Sequence, residues 1–119
     1  MYSYGFEKLE VWQLSRKLAK DIYQTTSKFP EEEKFGFISQ LRRATVSVSS
    51  NIAEGNSRKS TKDKAHFMEM SFSSLMEVIN QLILATDLRY ISTKELNEYR
   101  NSINELSNKL NAFWNSLKR

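Results

Sequence analysis

Apolar side chains return every three or four residues along four separate stretches of this chain, and that spacing commits it to helices. The strictest stretch is the last. Leu96, Tyr99, Ile103, Leu106, Leu110, Phe113 and Leu117 alternate steps of three and four, with mainly polar residues, many of them Asn, between them. So narrow a seam is the pattern of bundles and coiled coils. The first stretch, residues 7–28, carries Val11, Leu14, Leu18 and Ile22, widened by Trp12, Ala19 and Tyr23, and closes before Pro30. The second is expected to start at Pro30, with Glu31, Glu32 and Glu33 favourably placed on its N-terminal dipole. It continues through Ile38, Leu41, Thr45, Val48 and Ile52 and takes Gly55 as its stop. Ser47, Ser49 and Ser50 are poor helix formers whose small size admits a close neighbouring helix.

A polar loop, 55–61, leads to the third stretch, where Ser60 and Asp63 make an approximate capping box. Its line is Ala65, Met68, Phe72, Leu75, Ile79, Leu82 and Thr86, while Phe67, Met76, Val78 and Ile83 lie off that line. This helix is therefore apolar on more than one face, as a central helix would be, or one that meets another subunit. Ser92 and Glu95 form a cleaner capping box for the fourth helix. No segment alternates with period two for long enough to build a sheet. With 119 residues there is room for one domain, 1–119. The expected fold is all-α: four rods joined by short connections in an antiparallel, up-down-up-down four-helix bundle.

The chain has no cysteine, which excludes disulfides, thiol catalysis and Cys-based metal sites. No run approaches the length of a membrane span, and the opening MYSYGFEKLEVW lacks the basic and apolar regions of a signal peptide. A cytoplasmic, bacterial-type protein is expected. The net charge of +4 is unevenly placed. Residues 1–34 and 65–119 each balance six cations with six anions, whereas 35–64 sets Arg42, Arg43, Arg58, Lys59, Lys62 and Lys64 against only Glu54 and Asp63. A localised positive surface steers anionic partners. The six cations are thus candidate contacts to a nucleic-acid backbone, with a solubilising surface as the plainer alternative. Arg42 and Arg43, being adjacent on a helix, point about 100° apart.

Catalytic constellations are lacking. The single histidine, His66, has Asp63 three residues before it but no second such pair, so a bundle di-metal site is not expected and His66 reads as a surface residue. The three glycines are too scattered for a phosphate loop, and the serines have no base but His66. No enzyme activity, metal or cofactor is expected. Glu54, next to Gly55 at a helix C-terminus, needs compensation, and Arg58 or the Arg42–Arg43 pair is expected to supply it as an ion pair. Alternatively Asn51, Glu54 and Arg58 together organise a binding loop. Trp12, Tyr23, Phe35, Phe37, Phe67, Phe72, Phe113 and Trp114 are expected in the core or at interfaces. With no aromatic platform among the cations, binding would be directed at the backbone and weakly sequence-specific.

The string FGFISQLRRATVSVSSNIAEGNSR at 35–58 resembles the signature of the 23S rRNA intervening-sequence protein family. Phe6, Leu9, Val11 and Trp12 resemble that family's opening pattern. Ile22-Tyr23, Phe29-Pro30 and Glu33 resemble its first junction. Gln40, Arg42-Arg43, Ser47, Asn51-Ile52-Ala53-Glu54-Gly55 and Arg58 resemble its centre, with Ser74-Leu75, Glu77 and Gln81-Leu82 beyond. Ser49 and Ser73 depart from it, standing where many members have proline and glycine. The resemblance implies a left-handed bundle and a homo-oligomer, since relatives form ring-like pentamers. Relatives are encoded within insertions of bacterial large-subunit rRNA genes. Similar bundles accompany diversity-generating retroelements, binding nucleic acid and a reverse transcriptase. The partners so implied are further copies of the chain, RNA or DNA, or a protein. Asn51, Glu54 and Gly55 carry over as structural motif residues. A scaffold that binds protein alone is the alternative, motivated by the extra apolar residues of the third helix.

Overall fold

The four stretches fold as four helices in a computed structural model that describes residues 1–118. They are α1 (Glu10–Thr26), α2 (Phe37–Ser57), α3 (Thr61–Asp87) and α4 (Thr93–Leu117). There is no strand among the described residues. Each helix packs on its chain neighbour, and α4 returns to pack on α1.

Side-chain contacts fix the directions of two pairs. Gln40–Gln81, Ser47–Ser74 and Ser71 to the Val48 carbonyl descend α3 as they climb α2, so these helices run oppositely. Glu10–Lys109 and Thr25–Tyr99 do the same for α1 and α4. The core that results includes Val11, Leu18, Ile22, Leu41, Val48, Ile52, Met68, Leu75, Val78, Leu82, Ile103, Leu106 and Leu110.

The helix ends differ from expectation at the first junction. Pro30 begins no helix. Its ψ of 141° is extended, and Glu31–Glu33 make a single 3-10 turn. Helix α2 starts only at Phe37, whose N–H donates to the Glu33 carboxylate at 3.3 Å. The Tyr90 hydroxyl donates to the same carboxylate at 2.7 Å, which raises the Tyr90 pKa above its ordinary value. Glu33 thus ties the start of α2 to the α3–α4 turn. Helix α1 likewise begins at Glu10 rather than residue 7, after a 3-10 turn over Gly5–Lys8 and an extended Leu9.

At the starts of α3 and α4 the expected caps form, the first by one bond and the second by a full box. Ser60 accepts from the Asp63 N–H, and Ser92 and Glu95 cap α4 reciprocally. Helix α3 ends with Arg89 in the left-handed region, φ 65°. The Arg89 N–H reaches the Thr86 carbonyl and the Tyr90 N–H the Ala85 carbonyl, a Schellman closure without glycine.

The buried line of α3 is rotated from the expected one. Met68, Ser71, Leu75, Val78, Gln81, Leu82 and Ala85 face inward, and Phe72 and Ile79 are only partly buried. The cause is the closeness of α2. Ser71 donates to the Val48 carbonyl at 2.8 Å, and Ser47 meets Ser74 at 3.0 Å. Gly55 lies within α2, not at its end. A Cβ there would stand 2.6 Å from Phe67 Cβ and Met68 Cε, inside van der Waals contact. Val78, off the expected line, is fully buried, as a central helix of the monomer requires. Of the three serines, only Ser47 serves the close approach; Ser50 is exposed and Ser49 bonds back to the Val46 carbonyl.

The α1–α4 seam is more polar. Thr25 and Tyr99 hydroxyls meet at 2.6 Å, and burial raises the Tyr99 pKa above the usual phenol value. A groove of about 280 Å³ beside them is lined by Lys17, Asp21, Glu95, Glu98 and Ser102 among others. No helix among the described residues is long and apolar enough to cross a membrane.

Candidate nucleic-acid interface

The six candidate cations divide by what surrounds them. Arg42 belongs to the fold. Its Nε donates to Thr26 Oγ1 at 2.9 Å, an Nη donates to the Tyr23 carbonyl at 3.2 Å, and the guanidinium lies 4.5 Å from the centre of the Tyr23 ring. It therefore braces the C-terminal turn of α1, where the helix dipole favours a cation. Lys64 does the same for α2, its Nζ donating to the Asn56 carbonyl at 2.8 Å.

Arg43 is exposed on α2, fifteen residues before Arg58 and so roughly 22 Å along the chain axis from it. Arg58, Lys59 and Lys62 are left together. All three are exposed at the α2–α3 turn, and among the described residues none of their side chains makes a hydrogen bond or ion pair. Arg58 is held in place by lying over the Phe67 ring at 4.5 Å.

The expected ion pair of Glu54 is not formed. Among the described residues its exposed carboxylate meets neither Arg58 nor the Arg42–Arg43 pair, because the first is drawn onto Phe67 and Arg42 onto α1. Nor do Asn51, Glu54 and Arg58 converge on one loop. Asn51 Nδ2 donates back to Ser47, to its carbonyl at 2.9 Å and its hydroxyl at 3.1 Å. Asn51 and Gly55 serve the α2–α3 seam. His66 is exposed, its ring edge toward Phe67, and no group of three or more His, Asp or Glu residues among the described residues is arranged to hold a metal.

The aromatic residues are not where all were expected. Phe35 is 87% exposed, and Tyr23 is exposed beneath Arg42. Two rings outside that set, Tyr2 and Tyr4, are exposed as well. The Gly5–Lys8 turn that follows them packs on both α1 and α2, and a Cβ at Gly5 would meet the side chain of Asn56, two residues before Arg58, at 3.4 Å. The signal was an aromatic at every second position, Tyr2, Tyr4 and Phe6, in a segment too short to suggest a sheet.

The sequence model described as 23S rRNA-intervening sequence protein matches residues 7–112. The chain belongs to that family. No curated protein matches it significantly. Among solved structures it is similar to a protein of unknown function from the S23 ribosomal protein family of Bacteroides thetaiotaomicron VPI-5482, at 21% identity and a TM-score of 0.78. The match spans 87% of this chain and 97% of that one, and it shows a shared fold. In this member of the 23S rRNA-intervening sequence family, the basic turn and the seam residues Asn51 and Gly55 fall within the matched span, whereas Tyr2 and Tyr4 precede it.

Proposed function

We propose that this member of the 23S rRNA-intervening sequence family is a non-enzymatic accessory protein that binds the backbone of nucleic acid through Arg58, Lys59 and Lys62. The observation that carries this is three exposed cations on one turn, unneutralised by neighbouring carboxylates. Arg43 adds to the field from farther along α2, while Arg42 and Lys64 act by holding helix ends. Three contacts are few for one protomer. Assembly into a ring of copies, which the family resemblance implies, would multiply them through effective concentration.

Filter binding against structured RNA and duplex DNA across a salt series tests the proposal. Three phosphate contacts per protomer give a loss of roughly 20- to 40-fold in affinity between about 50 and about 200 mM salt. Reversing Arg58, Lys59 and Lys62 together to Glu is expected to abolish retention, with the helical circular dichroism unchanged because these side chains carry no buried contact. Absence of retention by the unaltered protein at low salt overturns the proposal. That outcome would favour the second reading, a protein-binding scaffold, for which Val46, Met76, Leu84 and Leu88 supply exposed apolar surface on α2, α3 and the turn that follows.

A further inference from the structure

Tyr2, Tyr4 and Phe6 stand at alternate positions, from the stretch before the Gly5–Lys8 turn into the turn itself. Their rings form a continuous ladder. Tyr2 meets Tyr4 edge-on at 5.1 Å between centroids, Tyr4 stacks beside Phe6 at 6.2 Å, and Phe6 meets Trp12 edge-on at 5.0 Å. The inner end is anchored, since Trp12 packs against the core and carries the Arg16 guanidinium over its face. The outer end is open, with Tyr2 79% and Tyr4 61% exposed.

The backbone at Tyr4 is tied to the turn that follows it. The Tyr4 N–H donates to the Glu7 carboxylate at 2.6 Å, and the Glu7 N–H returns to the Tyr4 carbonyl at 3.1 Å. Gln13 Nε2 donates to the Glu7 carbonyl at 3.0 Å. The bundle's core closes beneath Trp12 without Tyr2 or Tyr4, so packing gives no account of them. Flat aromatic faces and exposed cations are the two elements of single-strand recognition: the rings stack on unpaired bases and the cations follow the phosphates. Base pairs in a duplex already stack on each other and show only their edges.

We propose that Tyr2 and Tyr4 are a stacking platform for unpaired bases, set beside Arg58, Lys59 and Lys62, so that this end of the molecule selects single-stranded nucleic acid over duplex. The proposal rests on the backbone-binding function above and adds the class of its ligand. The exposed carboxylates of Glu54 and Asp63 flank the same turn and bound the path a strand can take. Leucine at positions 2 and 4 preserves apolar area without a stacking face; phenylalanine preserves the face without the hydroxyl.

Fluorescence anisotropy with an unstructured RNA of about 12 nucleotides, and with its duplex, makes the test. The full chain is expected to bind the single strand about 10-fold tighter than the duplex. Joint Tyr2→Leu and Tyr4→Leu substitution is expected to remove about 10-fold from single-strand affinity and nothing from duplex affinity, while Tyr2→Phe with Tyr4→Phe retains both. Equal affinity for strand and duplex, or an unaffected leucine variant, overturns the platform and leaves the backbone reading standing. Failure to bind either probe overturns both.

Discussion

At the scale of single residues, Gly55 shows how a correct identity can carry a misread role. A glycine near the end of a helical pattern reads as a stop, because left-handed backbone favours it. Here the glycine is helical and its missing side chain lets α2 and α3 touch. Alanine would gain about 1 kcal/mol in helix propensity. Against that, its Cβ would lie 2.6 Å from Phe67 Cβ, an atom fixed to the α3 backbone that cannot swing away. Overpacking of this kind costs about 1–3 kcal/mol and here must shift a helix, so it wins. Gly55→Ala is expected to lower the urea midpoint, with a net loss of up to about 2 kcal/mol. A midpoint that rises would show the seam to be looser than its geometry. The sequence marked Gly55 as special but held no sign of Phe67 lying across from it. That partner is set by how two helices pair, which periodicity within each does not encode.

Among the elements, the interiors of the helices were legible and their ends less so. The α4 line of Leu96, Tyr99, Ile103, Leu106 and Leu110 is buried as its spacing indicated, since a strict seam leaves one way to face inward. On α3, Met68, Leu75 and Leu82 are buried as expected, but Ser71 and Gln81 take inward positions that polarity argues against. Both find hydrogen bonds there, Ser71 to α2 and Gln81 to Glu77 and Gln40. The basic cluster was read as a unit because charge is visible in sequence while hydrogen-bond partners are not. Arg42 exemplifies this. Arg42→Ala is expected to destabilise the protein by about 1–2 kcal/mol by uncovering the end of α1, measurable by thermal unfolding, while RNA retention holds. Arg42→Lys is expected to recover less than half of that, because one ammonium cannot stack on Tyr23 and donate in two directions at once. Loss of RNA binding without loss of stability would return Arg42 to the interface.

For the whole molecule, two phenols link stability to alkaline pH. Tyr90 is raised mainly by its hydrogen bond to Glu33, Tyr99 mainly by burial. A group whose folded pKa lies above its unfolded one contributes stability in full below the unfolded value, about 10 for tyrosine, and loses it as pH climbs through the folded value. The urea midpoint is therefore expected to fall as the pH rises through the alkaline range above about 10. Tyr90→Phe and Tyr99→Phe should each remove a late-titrating portion of the phenolate absorbance. A midpoint flat across that window would mean that neither hydroxyl is held as described. Four helices and their order were readable from spacing alone, and so was the surplus charge between 35 and 64. The packing of the Gly5–Lys8 turn against α2 was not, since it joins residues some fifty positions apart.

Packing of each rod on its immediate predecessor also governs how the polypeptide acquires its shape. Hairpins between successive rods need only short excursions of chain to close, so they can zip in the order in which they emerge from a ribosome. Only the docking of the first rod against the last must wait for almost the entire polymer, and the hydroxyl pair of Thr25 and Tyr99, 74 positions apart, is among the contacts that this final clasp brings together.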